Sequence, residues 1–295
     1  MSTLIDFIGN TPLVELRHIN PNKQVRLMAK LEGQNPGGSV KDRTALGLIQ
    51  GGIEDGLIKA DSRLIEATSG NTGIALAMIA RLKNLHLELV MPENATKERI
   101  LTMQAFGAHV ILTPADAGME GAIDLAREKV EKEGYVSLDQ FGNPHNPQVH
   151  YRTTGPEIYR DTKGEITHFV SAMGTTGTIM GVSRYLKEQN EKIQIIGAQP
   201  ADGAKIPGIR KWSKEYTPKI FDRSKVDQIF EVNETEAKEM ARKLAKKEGV
   251  FSGMSSGGAV ATALKIISNL DEGLVVCIIC DRGDRYLSTD LFECS

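Results

Sequence analysis

The sequence predicts an α/β protein with mainly parallel sheets, because short apolar runs alternate with helical patterns along most of its 295 residues. Glycine- and hydroxyl-rich turns sit directly between a strand-like run and a helix-like run, the arrangement of strand-to-helix loops. Apolar residues make up 40% of the chain and charged residues 25%, enough to build more than one core and too apolar for a disordered chain.

Residues 25–32 alternate Val25, Leu27, Ala29 and Leu31 with Arg26, Met28, Lys30 and Glu32, which predicts a half-buried strand. Residues 63–67 and 85–91 read as strands. Between and after them, 73–82 and 96–106 read as helices, the second bounded by Pro92 and Gly107. The pair repeats as strand 109–112 and helix 119–132. A second series follows: strand 168–171, helix 178–188, strand 193–199, strand 226–232, a charged helix 234–247, helix 257–268 and strand 273–280. The stretch Gly142-Asn-Pro-His-Asn-Pro147 predicts a loop and the division between two α/β halves.

A net charge of -2, with no Lys/Arg run longer than two, offers no electrostatic footing for nucleic acid or an acidic membrane. Three cysteines (Cys277, Cys280 and Cys294) argue against a disulfide framework and for a reducing compartment. No basic and apolar leader is visible, and the longest apolar runs are too short to span a bilayer, so a cytoplasmic location is expected. The six histidines show no metal-ligand spacing, and no metal is expected.

Four loops carry chemistry-bearing residues. Asn35-Pro-Gly-Gly-Ser-Val-Lys41-Asp-Arg43 opens a helix, with Ser39 read as its N-cap. A lysine in the first turn faces the positive end of the helix dipole, which with burial favours the neutral amine that attacks carbonyls. Taken alone, the loop is better read as carrying a solvated lysine paired to Asp42 or Glu32. Thr68-Ser69-Gly70-Asn71-Thr72-Gly73 offers amides and neutral hydroxyls to a carboxylate or phosphate. Gly174-Thr175-Thr176-Gly177-Thr178 suits a single phosphate, since it lacks the lysine of a triphosphate loop. Gly253-Met254-Ser255-Ser256-Gly257-Gly258 is a third anion loop or a plain helix start. Each loop alone also fits an ordinary capped helix; together they describe an amine nucleophile, a monophosphate cup and a carboxylate cradle.

These loops, with Ile8-Gly-Asn-Thr-Pro-Leu13, His150-Tyr-Arg-Thr-Thr-Gly-Pro-Glu157 and Cys280-Asp-Arg-Gly-Asp-Arg-Tyr-Leu-Ser288, resemble the cysteine synthase family of fold-type II pyridoxal-phosphate (PLP) enzymes, most closely its B isozyme. The resemblance runs over essentially the whole chain. It implies two α/β domains, a smaller mobile one at 36–145 and a larger PLP-phosphate-binding one at 1–35 and 146–295, with the active site in the cleft between them. It implies a PLP-dependent transferase acting on small molecules, cytoplasmic and homodimeric.

Position by position, Lys41 matches the lysine that carries the cofactor and Asn71 the residue bonded to its 3′-oxygen. Gly174, Thr175, Thr176, Gly177 and Thr178 match the phosphate loop, and Ser255 the partner of the pyridine nitrogen. Thr68, Ser69, Asn71 and Thr72, with Gln140, match the groups that hold the substrate carboxylate. Arg210, beside Lys211 and Trp212, and Cys280 match positions associated in the B isozyme with accepting thiosulfate, although Lys211 stands where that pattern has a second arginine.

The implied reaction is β-replacement on O-acetylserine with sulfide or thiosulfate, giving cysteine or S-sulfocysteine, with Lys41 as general base. Alternatives within the resemblance are a cystathionine β-synthase-like condensation with homocysteine, an O-phosphoserine-dependent synthase and a dehydratase. From a different class, a non-catalytic anion- or peptide-binding module would also use such loops.

Overall fold

The computed structural model describes residues 2–293. In chain order its strands and helices begin with β1 (Leu13–Glu15), β2 (Val25–Leu31), α1 (Lys41–Glu54), β3 (Arg63–Ala67), α2 (Asn71–Leu82), β4 (His86–Pro92), α3 (Lys97–Ala105), β5 (His109–Thr113), α4 (Gly118–Glu133) and β6 (Val136–Ser137). They continue with α5 (His145–Arg152), α6 (Thr154–Asp161), β7 (His168–Ala172), α7 (Gly177–Gln189), β8 (Gln194–Pro200), β9 (Gln228–Val232), α8 (Glu234–Lys243), α9 (Met254–Ile267) and β10 (Gly273–Ile279). The expected strand–helix alternation is what the chain adopts.

Two compact units emerge, one of residues 2–8 and 41–146 and the other of 9–40 and 147–293. The first holds a parallel four-stranded sheet in the order β5-β4-β3-β6. Its main core joins α1 and α2 to the sheet through Leu48, Ile49, Leu64, Leu76, Ile79 and Leu89. The second holds a six-stranded sheet in the order β1-β2-β10-β7-β8-β9, in which only the edge strand β1 runs antiparallel. Its centre, β10, is a continuous run of Leu, Val, Cys and Ile, as a strand covered on both faces requires.

The unit edges differ from the expected 36–145 and 1–35 in two places. Ile8 packs against the core of the first unit, which draws the N-terminal residues there. Ser39 bridges to Asp281 and the Val40 N–H donates to the Cys280 carbonyl, so residues 36–40 belong with the second unit. The helix itself starts at Lys41, which removes Ser39 from the N-cap position.

The half-buried expectation for β2 is corrected as well. Flanked by β1 and β10, it places Leu27 and Ala29 in one core and Met28 in another, so both faces are covered. Lys30 is consequently 0% exposed. Its ammonium is matched by Glu157 at 2.9 Å and Asp161 at 3.3 Å on α6, with a further bond to the Thr11 carbonyl. A buried cation persists only with such partners.

The stretch 142–147, expected as loop, turns into α5 from His145. Asn143 Oδ1 accepts the His145 N–H at 3.0 Å, and Pro147 falls in the first turn, where its missing N–H costs nothing. The charged helix 234–247 is α-helical only to Lys243 and continues as a π-helical turn, Leu244–Glu248. The elements β1, β6, α5 and α6 have no counterpart in the sequence reading. Cys277 and Cys280 lie on different cores, as the strand period demands, and burial pushes the Cys277 thiol up to about 12. Cys294 lies outside the described residues.

Candidate active site

In the first unit, β3 ends at Ala67 and hands the chain through Thr68, Ser69 and Gly70 to Asn71, the first residue of α2. This is the carboxyl end of a parallel strand, where open α/β sheets gather ligands. The Thr68 N–H donates to the Val90 carbonyl of β4, fixing the loop to the sheet. Thr72 Oγ1 donates to Gln140 Oε1 at 2.9 Å, so two predicted substrate residues 68 positions apart touch directly. Gln140 is in turn tied to α1, since its carbonyl accepts Asn146 Nδ2 at 2.7 Å and Thr44 Oγ1 lies 3.3 Å from Asn146 Oδ1. Lys41 is the half-buried first residue of that helix, with Asp42, Arg43 and Thr44 buried behind it.

Beneath the loop lies Glu66, to which the sequence reading assigns no role. Its Oε2 accepts the Asp139 N–H at 3.1 Å and its Oε1 the Gln140 N–H at 3.4 Å. Burial is the main reason its carboxyl is pushed up to about 7, against the lowering effect of the Gln140 and Asp139 amides. In the unfolded chain the same group ionises near 4.5. The folded state therefore keeps the proton longer. The stabilisation is complete below about pH 4.5, declines as pH rises to about 7 and is gone above, a loss on the order of 3 kcal/mol. Glu66→Gln should abolish this component. Urea melts at about pH 5 and pH 8 are expected to differ less for the variant than for the wild type, and an identical pH difference would assign the effect elsewhere.

In the second unit, β7 ends at Ala172 and leads through Met173 to Gly174-Thr175-Thr176, with Gly177 opening α7. Thr176 is held at φ 70°, in the left-handed region that a β-branched residue rarely adopts. Its Oγ1 is buried without a hydrogen-bond partner. Such strain and an orphaned hydroxyl are kept where a ligand repays them. Gly174 is required by close approach: a Cβ there would come within 2.4 Å of the Gly208 carbonyl oxygen. Trp212 Nε1 donates to the Gly174 carbonyl at 2.9 Å, bracing the loop from the same segment. Thr178 Oγ1 lies 3.3 Å from His150 Nε2, and His150 Nδ1 lies 2.9 Å from Thr154 Oγ1, which explains the part of the His150–Glu157 motif that has no obvious ligand.

Ser255 lies in the first turn of α9, 3% exposed, across from Gly208. Around it, Ser256 Oγ accepts the Cys280 N–H at 2.9 Å, and Asp281 accepts from Tyr286 Oη at 2.6 Å and from the Gly253 N–H at 3.2 Å. Asp281, like Glu66 and His150, supports a loop from below, and nothing in local pattern separates such residues from ordinary loop positions.

The basic segment divides. Arg210 is exposed, with its guanidinium 5.4 Å from the centre of the Trp212 ring. Lys211 sits 2.6 Å from both Asp202 and Glu231, which also raise its pKa, so its charge is already matched. Of the expected pair of cations, Lys211 is thus engaged by two carboxylates and Arg210 is left for an anion.

The Gly174–Thr178 loop has the donors for one phosphate and no lysine or metal-binding carboxylate for more, so the residues fit the phosphate of PLP. Parallel α/β sheets, strand-to-helix loops rich in glycine and hydroxyls, and a lysine opening a helix fit an enzyme class built around a phosphate-bearing cofactor. The chain belongs to the family of pyridoxal-phosphate dependent enzymes, whose model matches residues 4–281. It is 54% identical over 292 residues to cysteine synthase B of Pseudomonas aeruginosa, covering 99% of this chain and 97% of that one. Against cysteine synthase B of Salmonella typhimurium the identity is 55%, covering 99% and 96%. The crystal structure of a cysteine synthase from Entamoeba histolytica superposes with a TM-score of 0.95 at 37% identity, covering all of this chain and 91% of that one. The protein is a PLP-dependent enzyme of the α/β class. No helix among the described residues is long and apolar enough to cross a membrane.

Proposed function

We propose that this enzyme is an O-acetylserine sulfhydrylase, which replaces the acetate on the β-carbon of O-acetylserine with sulfide to form cysteine. The observation that carries the reading is full-length identity of 54–55% to two cysteine synthases B, in a chain that has Lys41 opening α1.

Bound PLP supplies the electron sink that lets the α-proton of the amino acid leave. The chain's own residues do the rest. Lys41 would hold the cofactor and, as the free amine, take the α-proton as general base. Thr68, Ser69, Asn71 and Thr72, with Gln140, hold the substrate carboxylate through neutral donors and the start of α2. Asn71 would also meet the cofactor's 3′-oxygen, and Gly174 to Thr178 would hold the phosphate. Ser255 would face the ring nitrogen with a neutral hydroxyl in place of a carboxylate, a weaker partner for the sink that would favour prompt departure of acetate over racemisation. Acetate leaves with the Cβ–O bonding pair, sulfide forms the Cβ–S bond, and Lys41 returns the proton to Cα.

Sulfide is the donor the site supports best. Thiosulfate is the second reading, resting on Arg210 and Cys280; it is weakened because Lys211 already faces two carboxylates. A cytoplasmic homodimer completes the proposal, by analogy with the family. The test is a donor panel: purified holoenzyme and O-acetylserine with sulfide, thiosulfate or homocysteine, products identified by mass. Cysteine from sulfide is expected as the dominant product. Cystathionine from homocysteine, or pyruvate and ammonia without any thiol, would replace this function with another.

A further inference from the structure

We propose that Glu66 is a positioning residue for the amino-acid substrate: its carboxylate clamps the Asp139–Gln140 turn and so holds the Gln140 carboxamide against Thr72, beside the loop of Thr68 to Asn71. The inference rests on the reading of that loop as the substrate-carboxylate cradle. Glu66 stands two residues before Thr68 on β3, so one rigid strand carries both the clamp and the cradle.

The turn it grips is strained. Asp139 has φ 45°, a left-handed conformation that costs a non-glycine residue on the order of 1–3 kcal/mol unless its surroundings enforce it. The enforcement is visible. Asp139 N–H and Gln140 N–H both donate to Glu66, Asp139 Oδ1 accepts the Gly142 N–H at 3.0 Å, and the Asp139 carbonyl accepts the Asn143 N–H at 2.9 Å. The Gln140 Oε1 accepts from Thr72. Gln140 is thus held at its N–H, its carbonyl and its carboxamide.

Residue type follows from this arrangement. Two converging N–H donors need two acceptor oxygens on one side chain, and Glu66 is buried to 6% exposure, away from water that could substitute. Glutamine can satisfy one N–H and points an amide at the other. Alanine satisfies neither and frees the strained turn to relax. Relaxation would move Gln140 away from Thr72 and loosen the cradle.

The test compares holoenzyme of the wild type, Glu66→Gln and Glu66→Ala. Cofactor content is read by absorbance, KM and kcat with O-acetylserine at saturating sulfide, and affinity for L-cysteine by spectral titration. For Glu66→Ala, KM and the L-cysteine Kd should both rise about tenfold or more, with kcat within about threefold and full cofactor content. Glu66→Gln should lie between the two. The effect should also be non-additive with Gln140→Ala, because both changes break the same chain of contacts. An unchanged KM, or a parallel fall of kcat and cofactor content, overturns the positioning role. If Glu66→Ala does not fold, the KM of Glu66→Gln decides alone. A wild type that binds L-cysteine and shows no O-acetylserine turnover refutes the sulfhydrylase reading, and the L-cysteine affinities then judge the clamp by themselves.

Discussion

Lys41→Ala is expected to fold and to lose turnover of O-acetylserine by at least about 10³-fold, the scale of removing a general base that also holds the cofactor. The fold should survive for a local reason. Lys41 is the half-buried first residue of α1, so truncation leaves the rest of the helix in place. The burial behind it is carried by Arg43, Ala45, Leu48 and Ile49, which the substitution leaves in place. Circular dichroism and thermal melting should match the wild type within a few degrees. Borohydride reduction followed by peptide mapping should place the pyridoxyl group on Lys41 in the wild type and on no peptide of the variant. Turnover within about tenfold of the wild type would remove Lys41 from the base role.

Gly174→Ala should weaken cofactor affinity by about 100-fold or more while the apo-protein still folds. A Cβ at this position would lie 2.4 Å from the Gly208 carbonyl oxygen, a contact with backbone that no rotamer can relieve. The strain must move either Gly174 or the 206–212 segment. Both routes break the Trp212 bond to the Gly174 carbonyl at 2.9 Å and shift the amides that precede α7. Phosphate recognition by a helix start depends on those amides converging on one point, so a small displacement removes several donors together. Fluorescence titration of apo-protein with PLP measures the effect. An affinity within about threefold of the wild type would dissociate this loop from the phosphate.

The alternation of strands and helices, and the four loops with hydroxyls and glycines, were readable from order along the chain. Strand–helix junctions are local: the period changes from two to 3.6, and the turn residues must fall at the change. For the same reason Thr68 to Thr72 and Gly174 to Thr178 stand out as candidate anion loops from the sequence. Short elements without a period escaped, among them β1 and β6, and α5 was hidden by two prolines and two asparagines that usually mark a turn.

Partnership across long separations needed the folded chain. Lys30 looked like the solvent side of a half-buried strand, and its burial against Glu157 and Asp161 depends on β1 and α6 covering that face. Lys211 looked like a second anion-binding cation, and Asp202 and Glu231 cancel it from distant positions. Glu66 was one acidic residue in a motif until Asp139 and Gln140 came to rest on it. Propensity and period act between neighbours, so they declare elements and loops. Burial and charge pairing act between surfaces, and the identity of the opposing surface exists only once the chain has packed.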